Sequence, residues 1–272
     1  MANKLLKYAF IAALFIFFSG CEVMKQINLF SLEDEKTFGS EMYLQIQNAP
    51  AEYPLVNEAK NPQLYEHVKR VAKTILNSGQ VNYVNDFEWN IQVIDSDVQN
   101  AFACPGGKIY VYTGLINFLD NEAQLAGVIA HEIAHIHWRH STRQMTQQYG
   151  ISTLQQMLLG NNAGQVVTMV SQISGQLGGL AFSRSDEYEA DATAVKFLSH
   201  TEYNPLGVAG FFEKLESAGQ SSGTMTFMST HPSPPDRIAK IREAWIANGS
   251  KKGSDFADRY SDMKKYAKSI KR

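Results

Sequence analysis

Apolar positions recur at helical spacing in the stretch QLYEHVKRVAKTIL, where Leu64, Val68, Val71 and Ile75 line one face of a predicted helix. The rhythm then changes. In DFEWNIQVID, Phe87, Trp89, Ile91 and Val93 alternate with Glu88, Asn90 and Gln92, the period-2 signature of a half-buried strand. A second strand is predicted in GGKIYVYTGLI, led in by Pro105-Gly106-Gly107. The next element is a helix beginning near Asp120, with Glu122 in its first turn and Leu125, Val128, Ile129 and Ile133 as an apolar stripe. Helical patterns return in SRSDEYEADATAVKFL, in PLGVAGFFEKLES opened by Asn204-Pro205, and again with HPSPPDRIAKIREAWI. The predicted class is α+β, mostly helical, with a small β-sheet.

The ends and one internal stretch break this pattern. Residues 1–20 carry Lys4 and Lys7, then an apolar run from Tyr8 to Phe18 that is too short for a comfortable membrane span. It stops at Ser19-Gly20-Cys21, which resembles a bacterial lipobox, so Cys21 is the expected lipidation site. Residues 21–40 read as a weakly periodic tether, and 41–248 as one catalytic domain. Residues 249–272 read as a basic, helical tail whose charges are spread around the helix, as in a solvated terminal element. From Gln144 to Ser183 no residue is charged, and the polar Gln residues exclude a membrane span there; paired covering helices or a lid are the alternatives.

With 272 residues, 44% hydrophobic, the chain is long enough for one sizeable core. A net charge of -2 gives no basic field, so no nucleic-acid partner is expected. If Cys21 carries lipid, Cys104 has no partner in the chain and reads as a buried free thiol.

The chemistry concentrates in HEIAHIHWRH. At about 100° per residue, His131 and His135 lie within about 40° on one helix face, and both imidazoles can reach one ion. Glu132, offset by one residue, is placed to take a proton from water beside that ion. His137 and His140 point about 240° and 180° from His131 if the helix continues, and so read as structural. Trp138 and Ser141 stand where a metzincin would need Gly and His. A third ligand is sought downstream in DEYEADATA, where Glu187 and Asp191 share a helix face. Glu187 suits a ligand and Asp191 a carboxylate that fixes the tautomer of a ligand histidine. Spacing alone leaves Glu189 as a competitor of Glu187.

Taken in order, NAFACPGGKIYVYTGLI, HEIAHIHWRH, SDEYEADATA and HPSPPDRI resemble the HtpX and CAAX-prenyl-protease-like zinc metallopeptidases, a gluzincin family that includes bacterial periplasmic lipoproteins. The resemblance implies a zincin-like domain holding one Zn2+ on His131, His135 and Glu187, and it selects Glu187 over Glu189. It also implies Asp191 behind the ligands, His231 as a polarising group near the scissile carbonyl, and Arg237 as a buttress of a site carboxylate. In such proteins the strand after the Pro-Gly-Gly turn borders the cleft, so Lys108 to Thr113 is expected to pair with polypeptide substrate as an added β-strand. The implied activity is endopeptidase cleavage of unfolded, damaged or misassembled envelope proteins. The protein would face the periplasm on a lipid at Cys21, with outer membrane favoured because Glu22 follows it rather than Asp. The alternative is an envelope chaperone or assembly factor whose zinc site is mostly covered. A purely structural zinc site is disfavoured by the presence of Glu132.

Overall fold

The computed structural model describes residues 27–149, 181–219, 222–232 and 235–270. The expected signal segment, the Cys21 lipidation site and most of the uncharged stretch after Tyr149 lie outside them.

The first well-marked stripe folds as read. Helix α2 (Pro62–Leu76) starts with Pro at its first position and buries Leu64, Val68, Val71 and Ile75 completely. Three short strands follow: β1 (Asn90–Ile94), β2 (Ala101–Cys104) and β3 (Lys108–Tyr112). The strand expected over residues 86–95 is cut to its second half, because Phe87 and Trp89 are used as packing residues in the approach to β1. The second predicted strand also ends early, since Thr113–Phe118 forms helix α3. The sheet order is β1-β3-β2, with β3 parallel to β1 and antiparallel to β2. Between β2 and β3 the chain turns on Gly106 and Gly107, whose φ values of 71° and 90° lie in the left-handed region open to glycine.

Period-2 alternation sorts the sheet residues into two cores. Ile91, Val93, Ala101, Ile109 and Val111 face the larger core, shared with α2 and helix α4 (Glu122–His137). Phe102, Cys104 and Tyr110 face a smaller one. That second core is closed by helix α1 (Leu32–Gln47), which overturns the expectation of a tether reaching residue 40. A capping box between Ser31 and Asp34 starts α1, and Phe38, Met42 and Ile46, each four residues apart, bury its inner face. Helix α5 is His140–Tyr149 and α6 is Arg184–Leu198. Four more helices follow: α7 (Gly207–Ala218), α8 (Ser222–Thr230), α9 (Arg237–Ala247) and α10 (Ala257–Lys268).

Helix α10 corrects the reading of residues 249–272 as a solvated tail. Tyr260, Met263 and Ala267 form a buried stripe, and the Tyr260 hydroxyl donates to the Ile116 carbonyl at 2.7 Å. The charges lie on the other faces, and Arg259 is recruited into an ion pair with buried Glu122. Among the described residues no helix is long and apolar enough to cross a membrane.

Candidate metal centre and active site

Helix α4 is apolar nearly all round, so it is buried along its whole length and its polar residues must find partners inside the protein. Its Asn121 N-cap accepts from Gln124 N–H. Helix α6 begins with a second capping box, Ser183 with Asp186, and lies across α4 so that Glu187 and Asp191 face the two histidines. His231 follows the last turn of α8, where its N–H donates to Phe227 O and its ring stacks on Phe227 at 4.6 Å. Arg237, the first residue of α9, is completely buried.

These elements bring four donor groups together: His131, His135, Glu187 and His231, all buried. The Nε2 atoms of His131 and His135 are 3.0 Å apart, and those atoms lie 3.5 and 3.6 Å from oxygens of Glu187. His231 Nδ1 is 3.3 Å from His131 Nε2 and 3.1 Å from Glu187 Oε1. A tetrahedral ion with ligands at about 2.0–2.1 Å has edges of about 3.3 Å, so these separations fit a metal of that kind.

The hydrogen-bond chains behind the rings make the same demand. His131 Nδ1 lies 2.8 Å from Asp191 Oδ1, a carboxylate that favours a proton on that side of the ring. His135 Nδ1 lies 2.8 Å from His140 Nδ1, and His140 Nε2 lies 3.0 Å from Glu189 Oε2. Burial lowers the pKa of His140, and with Glu189 on its Nε2 side a proton placed there leaves Nδ1 to accept from His135. In these tautomers both histidines aim Nε2 lone pairs at one point. A single positive charge between them resolves the conflict. Without a metal that charge is a proton on His131: burial opposes it, but Asp191 and Glu187 outweigh burial and hold the pKa up at about 9. His135 is driven well below its ordinary value by burial and by the charge on His131. Burial would raise Glu187, yet His231 and His131 hold it well below the usual carboxylate range.

Arg237 ties the acids together. Its Nε is 2.6 Å from Asp191 Oδ2 and its Nη2 is 2.7 Å from Glu187 Oε2, while Nη1 donates to Pro232 O at 3.2 Å. Its guanidinium also lies 3.9 Å over the Phe212 ring. Glu132 is different. It is buried, its Oε1 has no hydrogen-bond partner among the described residues, and burial raises its pKa, as suits a proton acceptor. A cavity of about 40 Å³ beside it is lined by Phe102, Ala103, Met145, Phe182 and His231, room for a water or two.

Several expectations change at this point. Glu189 supports His140 and stands apart from the four-donor cluster. His231, expected beside the scissile carbonyl, has its Nδ1 inside the donor cluster, with Nε2 3.6 Å from Glu132 Oε1. His140 was expected to point away, but the helix does not continue. Arg139 adopts φ 58°, held by Glu35 and by Phe30 O, and the chain turns back to lay His140 against His135. His137 is structural as read: its Nδ1 accepts from Asn82 N–H at 2.9 Å, and burial holds its pKa at about 4. Cys104 is a buried free thiol whose pKa burial pushes up. The strand Lys108–Tyr112 is the middle strand, paired on both sides, so it has no free edge for a substrate. The strand beside Glu132 is β2, whose second edge pairs with no strand among the described residues. Phe182, which no sequence pattern singled out, stacks on His135 at 4.0 Å.

A helix-borne pair of histidines, a carboxylate from a crossing helix and a glutamate with one carboxylate oxygen free define the centre of a metallopeptidase of the gluzincin type. The chain belongs to peptidase family M48, whose model matches residues 58–245. It is 30% identical over 231 residues to the mitochondrial metalloendopeptidase OMA1 of Schizosaccharomyces pombe, covering 82% of this chain and 64% of that one. It is 30% identical over 201 residues to the beta-barrel assembly-enhancing protease of Escherichia coli K12, covering 70% and 40%. With the metalloprotease LoiP of the same organism it shares 32% over 198 residues, covering 70% and 75%. The chain thus spans less than two thirds of the first two relatives. Helix α1 lies before the matched region and still supplies Met42 to the cavity wall.

Proposed function

We propose that this chain is a zinc-dependent endopeptidase acting on unfolded, damaged or misassembled proteins of the bacterial envelope. The observation that carries the reading is the pair of facing Nε2 atoms 3.0 Å apart, with Glu187 across from them and the unpartnered Glu132 Oε1 alongside. Zinc suits two imidazoles and a carboxylate; when bound it polarises a carbonyl and makes water easier to deprotonate. Glu132 accepts the proton of the attacking water and returns it to the leaving amine. Asp191 and Arg237 hold His131 and Glu187 in place. His231 leaves its corner of the cluster to water or substrate in this reading; its Nε2 already lies 3.6 Å from Glu132 Oε1, on the side where an N–H can donate to the developing oxyanion.

Substrate binds along β2 in this reading. The Tyr112 N–H donates to Asn100 O, and the antiparallel alternation turns the main-chain groups of Ala101 and Ala103 away from β3 toward the cleft. Main-chain pairing reads little sequence, which suits extended, unfolded polypeptide. A lipid on Cys21, with the chain facing the periplasm from the outer membrane, completes the proposal. Its check is that Cys21→Ala moves the protein from the membrane to the soluble fraction.

Glu132→Gln provides the main test. Cleavage of casein falls by at least about 100-fold while zinc content stays that of wild type; equal cleavage by both proteins overturns the mechanism. The burial of all four donor groups favours a second reading, an assembly factor that binds envelope proteins and seldom cuts them. Full rescue of a deletion strain by Glu132→Gln would support it.

A further inference from the structure

We propose that His140 and Glu189 are positioning residues for the metal, a relay that keeps the proton of His135 on Nδ1 and so presents its Nε2 lone pair to the ion. The proposal rests on the metal reading above. Each ligand histidine has its own support, and the two are built alike. His131 leans on Asp191, which is gripped by Arg237. His135 leans on His140, whose Nε2 meets Glu189 Oε2 at 3.0 Å and Asp186 Oδ1 at 3.6 Å; Arg143 Nη2 grips these two acids at 3.1 and 2.8 Å. The imidazole of His140 serves as a spacer, because Glu189 sits on the outer flank of α6 while Glu187 and Asp191 take the inner one. With carboxylates on its Nε2 side, His140 carries its proton there and offers Nδ1 as an acceptor, 2.8 Å from His135 Nδ1.

Two further features act on the same ring. The reversal at Arg139, φ 58°, is what aims His140, and it is held from outside by the buried Glu35 of α1, 2.8 Å from Arg139 Nε. On the other side, Phe182 stacks on His135 with 23° between the ring planes, fixing the plane in which Nε2 points. His140, Asp186 and Glu189 are themselves close enough to hold an ion, but the Arg143 guanidinium already balances the two acids.

The test uses the full chain as wild type, His140→Ala, His140→Asn and Glu189→Ala. Zinc affinity is read by chelator competition, and the ligand field by the visible spectrum of the cobalt(II) form. His140→Ala is expected to weaken zinc binding by about 10–100-fold and to shift the cobalt spectrum. His140→Asn places an oxygen acceptor where Nδ1 stood, and is expected to restore most of the affinity; a merely space-filling role gives no such rescue. Glu189→Ala, at a half-exposed position, folds even if His140→Ala does not, and is expected to weaken binding by about tenfold. Affinities within twofold of wild type in both alanine variants overturn the relay and leave the metal reading intact. A second zinc equivalent that His140→Ala removes, with the first unchanged, also overturns it. Failure of the wild type to bind zinc at all overturns both.

Discussion

The two ends of helix α4 each bury carboxylates, and they balance them differently. At the N-terminal end, Glu122 is fully buried and meets two guanidiniums: Arg70 at 2.7 and 2.8 Å, and Arg259 at 2.5 and 3.1 Å. The Tyr203 hydroxyl adds a bond at 2.8 Å, so both oxygens are saturated by the chain itself. At the other end Glu132, Glu187 and Asp191 are set against one guanidinium, Arg237, and against imidazoles whose lone pairs converge. Three acids facing one permanent cation leave this end short of fixed positive charge, a shortfall that a bound cation would meet. A buried acid whose charge is fully met is a staple; one whose charge is left short marks a place for a cation.

The largest expected effect comes from deepening the imbalance at the ligand. Glu187→Ala removes an oxygen that no neighbour replaces, and zinc affinity falls by more than about 100-fold, read by chelator competition, with cleavage lost alongside it. At the staple, Glu122→Gln leaves Arg70 without a carboxylate and Arg259 with Glu202 alone, and lowers unfolding free energy by roughly 2–3 kcal/mol in denaturant titration, with zinc affinity unchanged. Their flanks are partly open to solvent, which keeps the cost below that of a fully enclosed pair.

The same variant sharpens the pH behaviour. Burial would raise the Glu122 pKa, but hydrogen bonds from Arg70, Arg259 and Tyr203 outweigh it and hold the folded value below the ordinary 4.5. A depressed folded pKa means the unfolded chain binds the proton more readily. The stabilisation is therefore complete above about 4.5 and is lost as pH falls through the depressed folded value. Stability of Glu122→Gln is expected to fall less steeply than wild type in that acid range. The smallest effect is Tyr203→Phe, which deletes one hydrogen bond to the same carboxylate and costs about 1 kcal/mol, again with no change in zinc binding.

The ligand end was largely legible in the sequence because helical geometry makes spacing meaningful: His131 with His135 and Glu187 with Asp191 each share a face by virtue of a four-residue step. The stripes of α2 and α4 were legible for the same reason. Local spacing failed wherever a distant residue set the backbone. The angle that turns His140 away assumes an unbroken helix, whereas the chain breaks at Arg139, whose side chain pairs with Glu35 more than a hundred residues earlier. Helix α1 was hidden because its stripe, Phe38, Met42 and Ile46, straddles the point where the tether was drawn to end. Strand β2 has four residues, too few for alternation to stand out, and without it the pattern leaves β3 at the edge of the sheet. The Glu122 staple joins α2, α4 and α10, so only the folded chain reveals it, and without that partner the charges of α10 have the pattern of a solvated helix.

The most direct measurement is zinc stoichiometry by elemental analysis of purified wild type, Glu187→Ala and Glu122→Gln prepared side by side. One zinc per chain in the wild type and in Glu122→Gln, with none retained by Glu187→Ala, is the predicted result. Zinc retained in full by Glu187→Ala, or absent from the wild type, would contradict the assignment of the α4–α6 crossing as the metal centre.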